Sequence, residues 1–173
     1  MAFKPAFQIS NFMNHDEHSI PSPESRKEAR PVPIYRAYEI SAARIKKYKH
    51  QQLTKPKSQW HDEIKRGIVL INENIFEPNC SVSDIKGMNK TPQKNYSSRF
   101  RRCVGLTPRE YISKHRITAA IWLLRDIRLD ELKIGDIGFC VGFERPHSFS
   151  MTFKNRIGHW PGEWRKSHRS NNN

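Results

Sequence analysis

No stretch of this 173-residue chain approaches the roughly 20 consecutive apolar residues that a membrane-spanning helix needs. The opening residues, MAFKPAFQISNF, lack the charged, apolar, small-residue order of a secretory signal, so a cytoplasmic protein is expected. Cysteine is sparse. Cys80, Cys103 and Cys140 are odd in number, far apart and form no CxxC, which argues against a disulfide framework or a zinc site and for buried thiols in a reducing cytosol. His15 and His18 stand in HDEH, not HExxH, within a polar segment, so no metal site and no cofactor are expected. No segment shows the apolar-polar alternation of a half-buried strand. Acid is the scarcer charge, with 17 Asp and Glu against 31 Lys and Arg, a formal net charge of +14. Such a balance points to a polyanionic partner, nucleic acid first and an anionic membrane surface second. A membrane-surface role has no apolar anchoring face to support it.

The chain divides near residue 57. Residues 1–57 hold prolines at 5, 21, 23, 31, 33 and 56 and scattered apolar residues without a sustained period, the pattern of a disordered or weakly structured extension. Within it, SAARIKKYKH has the makings of a short basic helix. From Ser41 to Gln59 the charged residues are Arg44, Lys46, Lys47, Lys49, Lys55 and Lys57, with no acid. Two readings stay open, a solvated tail and a basic arm lying along phosphates. The extension is too short for a typical ligand-sensing domain, so no dedicated effector pocket is expected.

Residues 58–168 read as one helical domain, with 169–173 as a tail. Trp60, Ile64, Ile68, Ile71 and Ile75 form one helix face, with Ser58 as a candidate cap. Ser81 and Asp84 form an S-x-x-D start for a short helix. Thr91-Pro92 predicts the next start, with Tyr96, Phe100 and Val104 turned inward. Thr107-Pro108-Arg109-Glu110 is a capping box for a long helix reaching about Ile127, whose Tyr111, Ile112, Ala119, Ala120, Leu123 and Leu124 face the core. A short helix lies near Gly135 to Val141. Pro146 opens a helix carrying Phe149 and Phe153, and Trp160-Pro161 opens a last one with Trp164. Trp60, Trp122 and Trp164 are expected to be packing residues. The fold class is all-α, about seven helices.

The domain contains a repeat. Tyr96, Phe100, Gly105, Pro108, Glu110 and Tyr111 recur 53 residues later as Phe149, Phe153, Gly158, Pro161, Glu163 and Trp164. Asp84 and Ile85 recur at Asp136 and Ile137, an offset of 52, so the second copy has one extra residue in its turn. Each copy reads short helix, turn, basic helix, which is the helix-turn-helix arrangement. The first spans about 81–103 and the second about 134–157, joined by the long helix 108–127.

Taken together, Arg99-Phe-Arg-Arg-Cys-Val-Gly-Leu-Thr-Pro-Arg-Glu-Tyr-Ile112, Arg116, Ala119-Ala120 and Leu123-Leu124 resemble the AraC/XylS family of bacterial transcription regulators. So do Asp136-Ile-Gly-Phe-Cys-Val-Gly-Phe143, Ser148-Phe-Ser150, Phe153-Lys154, Gly158 and Pro161. The resemblance covers roughly Trp60 to Lys166. It implies two tandem helix-turn-helix subdomains whose second helices enter successive major grooves on one face of double-stranded DNA. A promoter-binding regulator follows, most often an activator in this family, with RNA polymerase as a further partner and the nucleoid as its place. A monomer already presents two reading helices, so a dimer is not required.

The helix faces and the family positions together name candidate DNA contacts. In the first copy Lys94, Ser97, Ser98 and Arg101 lie opposite Tyr96 and Phe100. Lys94, Ser97 and Ser98 fall where base edges are met in the family; Lys94 can donate to guanine O6 or N7. Arg101 and Arg102 lie deeper, where phosphates are held. In the second copy Arg145, His147, Ser148 and Met151 face outward. Arg145 is the leading candidate for guanine, Met151 for a thymine methyl, and Lys154 for a phosphate. Arg116 and Arg125, on the long helix, are expected in structural ion pairs.

The family pattern is broken at three places. Lys90 stands where glycine usually makes the first turn, with Asn89 beside it to take left-handed geometry, and Lys86 stands where a small residue is expected. Met151 stands where the second reading helix usually has arginine. Uneven base reading between the copies is therefore expected. An interaction protein that keeps the fold but binds a regulator or nonspecific DNA is the competing class. An alkylation-repair enzyme with such a domain would need a cysteine cluster near its N-terminus, and no cysteine precedes Cys80.

Overall fold

The computed structural model describes residues 32–88 and 95–170. Among these residues every regular element is helical. The described residues form one compact unit, and it begins well before residue 57. Over residues 32–57, the described part of the expected weakly structured extension, the chain is instead helical for most of its length and extends the short basic helix expected at SAARIKKYKH. Helix α1, Ile34–Gln52, buries Ala37, Ser41 and Tyr48. These three residues are spaced by four and seven, one narrow stripe of a helix. Two of them are small or polar, which is why a search for apolar periodicity passes over them.

Helix α2, Asp62–Asn74, starts four residues after the expected cap at Ser58. Asp62 and Glu63 in its first turn suit the positive end of the helix dipole. Trp60 folds into the preceding turn, its amide donating to the Lys57 carbonyl at 3.1 Å. The stripe Ile64, Ile68, Ile71 and Ile75 is fully buried, as its period requires.

Helix α3, Val82–Met88, opens at Ser81, whose Oγ accepts from the Asp84 amide at 3.2 Å and donates to the Asp84 carboxylate at 2.6 Å. Helix α4 spans Tyr96–Val104, with Asn95 at φ 64° ahead of it. Thr91-Pro92, Asn89 and Lys90 lie outside the described residues, as does the side chain of Lys86. The long helix α5 is Pro108–Leu124. Its capping box is formed as the residues predict: Thr107 Oγ1 accepts from the Glu110 amide, and the Thr107 amide donates to Glu110 Oε2 at 2.8 Å. These hydrogen bonds hold the Glu110 carboxyl below its usual range.

The end of α5 falls three residues short of the expected Ile127. A 3₁₀ turn, Ile127–Leu129, follows instead, with Asp126 accepting from the Arg128 amide at its start. Helix α6, Ile134–Cys140, helix α7, Pro146–Ile157, and helix α8, Pro161–Ser170, complete the domain.

The repeat is visible in the packing. Tyr96 and Phe100 on α4 and Phe149 and Phe153 on α7 are all fully buried, each pair against the next helix through Tyr111 and Trp164. Gly105 and Gly158 close the two helices at φ 87°, each amide reaching back four residues to Arg101 and Lys154 carbonyls. Trp60 and Trp164 are buried, whereas Trp122 is only partly so. Cys80, Cys103 and Cys140 are free but half-buried, which corrects the expectation of buried thiols; burial raises the Cys80 and Cys140 thiols.

Candidate nucleic-acid interface

Burial of Tyr96 and Phe100 fixes the rotation of α4 about its axis. The opposite side then carries Ser98, Arg101 and Arg102 exposed to solvent and Ser97 half-exposed. These are the residues expected there. Lys94 lies outside the described residues. Arg99, one position away, is turned elsewhere: its Nε and Nη2 pair with the two oxygens of Glu63 on α2, the second at 3.0 Å. That fork anchors the back of α4 to α2 and separates Arg99 from the outward arginines.

Phe149 and Phe153 set α7 in the same way. Arg145, His147, Ser148, Met151 and Lys154 are all exposed on its outer side. The backbone of Arg145 is extended ahead of the first turn, and Pro146 stands at the first helical position. The approach of α6 to α7 depends on Gly138. A Cβ there would meet the Phe149 ring at 2.9 Å. Lys154 Nζ sits 4.2 Å from the ring centre of Trp160, which holds that ammonium at the base of the helix. Asn155 is exposed seven residues after Ser148 and four after Met151, hence on their face. Asn155 is not among the sequence-predicted contacts, although the three-and-four spacing that leads to Met151 extends to it.

Among the described residues Arg116 makes no ion pair of the expected kind. It is buried on α5, with Nε donating to the Ile75 carbonyl at 2.8 Å and Nη2 to that of Glu77 at 2.7 Å. Its guanidinium also lies over Phe143, 5.7 Å from the ring centre. Arg125 likewise lies over an aromatic ring, that of Trp164, at 5.5 Å. Of the basic residues Arg44 to Lys57, two are spent on internal contacts. Arg44 Nε donates to Asp126 Oδ2 at 2.7 Å, and Lys49 Nζ to the Glu73 carbonyl at 2.7 Å. Lys46, Lys47, Lys55 and Lys57 remain exposed.

A family model for a helix-turn-helix domain matches residues 90–167. The chain is 39% identical over 71 residues to the HTH-type transcriptional activator RhaR of Klebsiella pneumoniae, covering 41% of this chain and 24% of that protein. It is 28% identical over 111 residues to the transcriptional activator NphR of a Rhodococcus species, covering 62% of this chain and 31% of that protein. The chain thus spans about a quarter to a third of the length of these curated relatives. The solved C-terminal domain of AraT, a response regulator from Geobacillus stearothermophilus, superposes with a TM-score of 0.57 at 21% identity, covering 64% of this chain and 88% of that one. That likeness concerns the fold: paired helix-turn-helix units of an all-helical domain.

Proposed function

From a chain that carries a helix-turn-helix domain of the AraC/XylS type, we infer a sequence-specific DNA-binding transcription regulator that lays α4 and α7 into successive major grooves. One observation carries this reading. Each of the two helices exposes a polar face directly opposite a buried aromatic pair, at matching places in the two copies. In this reading Lys94, Ser97 and Ser98 meet base edges in one groove, and Arg145, His147, Ser148 and Met151 in the next. Arg101, Arg102 and Lys154 hold phosphates. A single chain supplies both helices, so a monomer suffices. The activity proposed is regulation of transcription rather than catalysis.

Activation, through contact with RNA polymerase, is the direction proposed, because both relatives named above carry activator names. No helix among the described residues is long and apolar enough to cross a membrane. A place on the nucleoid in the cytoplasm follows from the proposed partner.

The test is selection of bound sites from random duplex DNA at near-physiological salt. A motif of two half-sites about 10 base pairs apart is expected. No enriched motif, with binding that only fades as salt rises, would overturn sequence reading. Transcription from a promoter bearing the selected site, with and without the protein, then reads the sign of regulation.

A further inference from the structure

Two helix-turn-helix units on one chain read a two-part site only as well as their relative placement is held. The link between them is α5 plus the segment 125–133, where the α-helix gives way to the 3₁₀ turn. A change of helix type is a natural point of bending and twisting. Helix α1 lies along this link and touches both sides of it. Near its C-terminal end, Tyr48 OH meets His115 Nδ1 of α5 at 2.8 Å, and its ring stands edge-on to Trp122 at 5.1 Å and Phe76 at 5.9 Å. Lys49 bonds the Glu73 carbonyl of α2 and lies 5.7 Å from the centre of the Phe76 ring. In its middle, Arg44 grips Asp126 at the start of the 3₁₀ turn. Further toward its N-terminus, Ser41 Oγ lies 3.5 Å from Cys140 Sγ on α6, inside the second unit.

Among the described residues the buried polar and charged side chains are Ser41, His115, Arg116 and Asp126. Ser41, His115 and Asp126 meet α1 side chains, or belong to α1, and Arg116 joins α5 to the loop after α2. Buried polar groups tolerate one arrangement of partners far better than others, because a displaced partner leaves a desolvated group unpaired. Apolar packing alone would slide more freely. The polar groups of this core therefore sit where relative orientation is decided.

We propose that α1 is a strap that sets the distance and rotation between α4 and α7, with Ser41, Arg44 and Tyr48 as positioning residues that select half-site spacing. This rests on the two-groove reading above. At 19 residues the helix is about 28 Å long, comparable to the roughly 34 Å between successive grooves on one face of DNA. A change of one base pair in spacing moves the second half-site by roughly 3.4 Å and 34° around the duplex. A stiff pair of units rejects that change; a loose pair follows it.

The experiment uses the full chain and duplexes carrying the two selected half-sites at the optimal spacing and at one and two base pairs either side, with a single half-site duplex alongside. Arg44→Ala loosens the strap at the 3₁₀ turn and leaves Asp126 its bond to Arg128. Lys47→Ala, on the exposed side of α1, removes the same charge without touching the link. Ser41→Cys places a thiol beside Cys140, so mild oxidation ties α1 to α6 and reduction releases it. Spacing discrimination is expected to fall about threefold or more in Arg44→Ala and to rise about threefold on oxidation of Ser41→Cys. Half-site affinity should match Lys47→Ala for the first and be equal in both redox states for the second. Equal losses at all spacings, unchanged discrimination in both variants, or failure of the two thiols to pair would overturn the strap alone. Absence of any spacing preference in the unmodified protein would overturn the two-groove reading and the strap with it.

Discussion

Arg116 donates from Nε to the carbonyl of Ile75 across 2.8 Å, tying the middle of α5 to the end of the helical turn that closes α2. The same guanidinium bonds the Glu77 carbonyl and covers Phe143, so one side chain touches the first unit, the linker helix and the turn of the second. Removing it takes the donor from the Ile75 carbonyl, leaves the Glu77 carbonyl with the Cys80 amide alone, and opens a void between units. Arg116→Ala is expected to destabilise by about 3 kcal/mol, read as a lower urea midpoint with an unchanged slope. Arg116→Lys should recover less than half of that, because an ammonium cannot reproduce the planar fork. A loss below about 0.5 kcal/mol for the alanine variant would show that the bridge carries no stability.

Gly142 turns the second unit at φ 88°, and a Cβ there would lie 2.8 Å from the Phe76 carbonyl oxygen. Gly105 has nearly the same φ, 87°, with nothing within 4 Å of an added Cβ. The two sites separate conformational strain from collision. Gly105→Ala is expected to cost about 1 kcal/mol, the left-handed penalty alone. Gly142→Ala should cost at least about 1 kcal/mol more. Equal midpoints in denaturant for the two variants would refute the close contact between the units.

His115 is buried beside Tyr48 and Tyr111, and burial lowers its pKa from 6.5 to about 4, with Lys114 adding to the shift. Between those values the unfolded chain binds the proton and the folded one does not. Stability therefore rises with pH through this window, is complete above about 6.5, and is lost as pH falls toward 4. At 1.36 kcal/mol per unit the window is worth about 3 kcal/mol. Asp126 acts at lower pH. Its hydrogen bonds with Arg128 first, then Arg44, hold the carboxyl well below its usual range, and that contribution is lost as the carboxyl protonates. Urea unfolding from pH 7 to 4 should show the first slope, and His115→Gln should flatten it between 6.5 and 4.

Arg145 and Arg102 test the division between reading and holding. Arg145→Ala is expected to relax base preference at one position of the selected site by about 1–3 kcal/mol. Arg102→Ala should weaken all sequences alike and reduce the slope of affinity against salt by about one counterion. Uniform weakening by Arg145→Ala would place that side chain on a phosphate instead.

What the sequence determined by itself is what short-range rules govern. Aromatic residues four apart on two segments, an S-x-x-D start and a Thr-Pro-x-Glu capping box are satisfied by neighbours within a turn or two. They predicted α3, α5, α7 and the outward sides of α4 and α7 without knowledge of the rest of the chain. The offset of 53 between the copies added the repeat. What only the tertiary structure decided is how the pieces are held together. Helix α1 buries one alanine, one serine and one tyrosine, too few apolar residues to mark a face, and its partners stand 67 to 99 positions away at His115, Asp126 and Cys140. Arg116 looked like a residue for an ion pair because a charge in sequence suggests an opposite charge; in the fold it meets main-chain carbonyls, which every residue carries and no sequence pattern marks. Local hydrogen bonds and periodicity are written in adjacent residues, whereas the joint between the two units depends on groups that become neighbours only once the chain has folded.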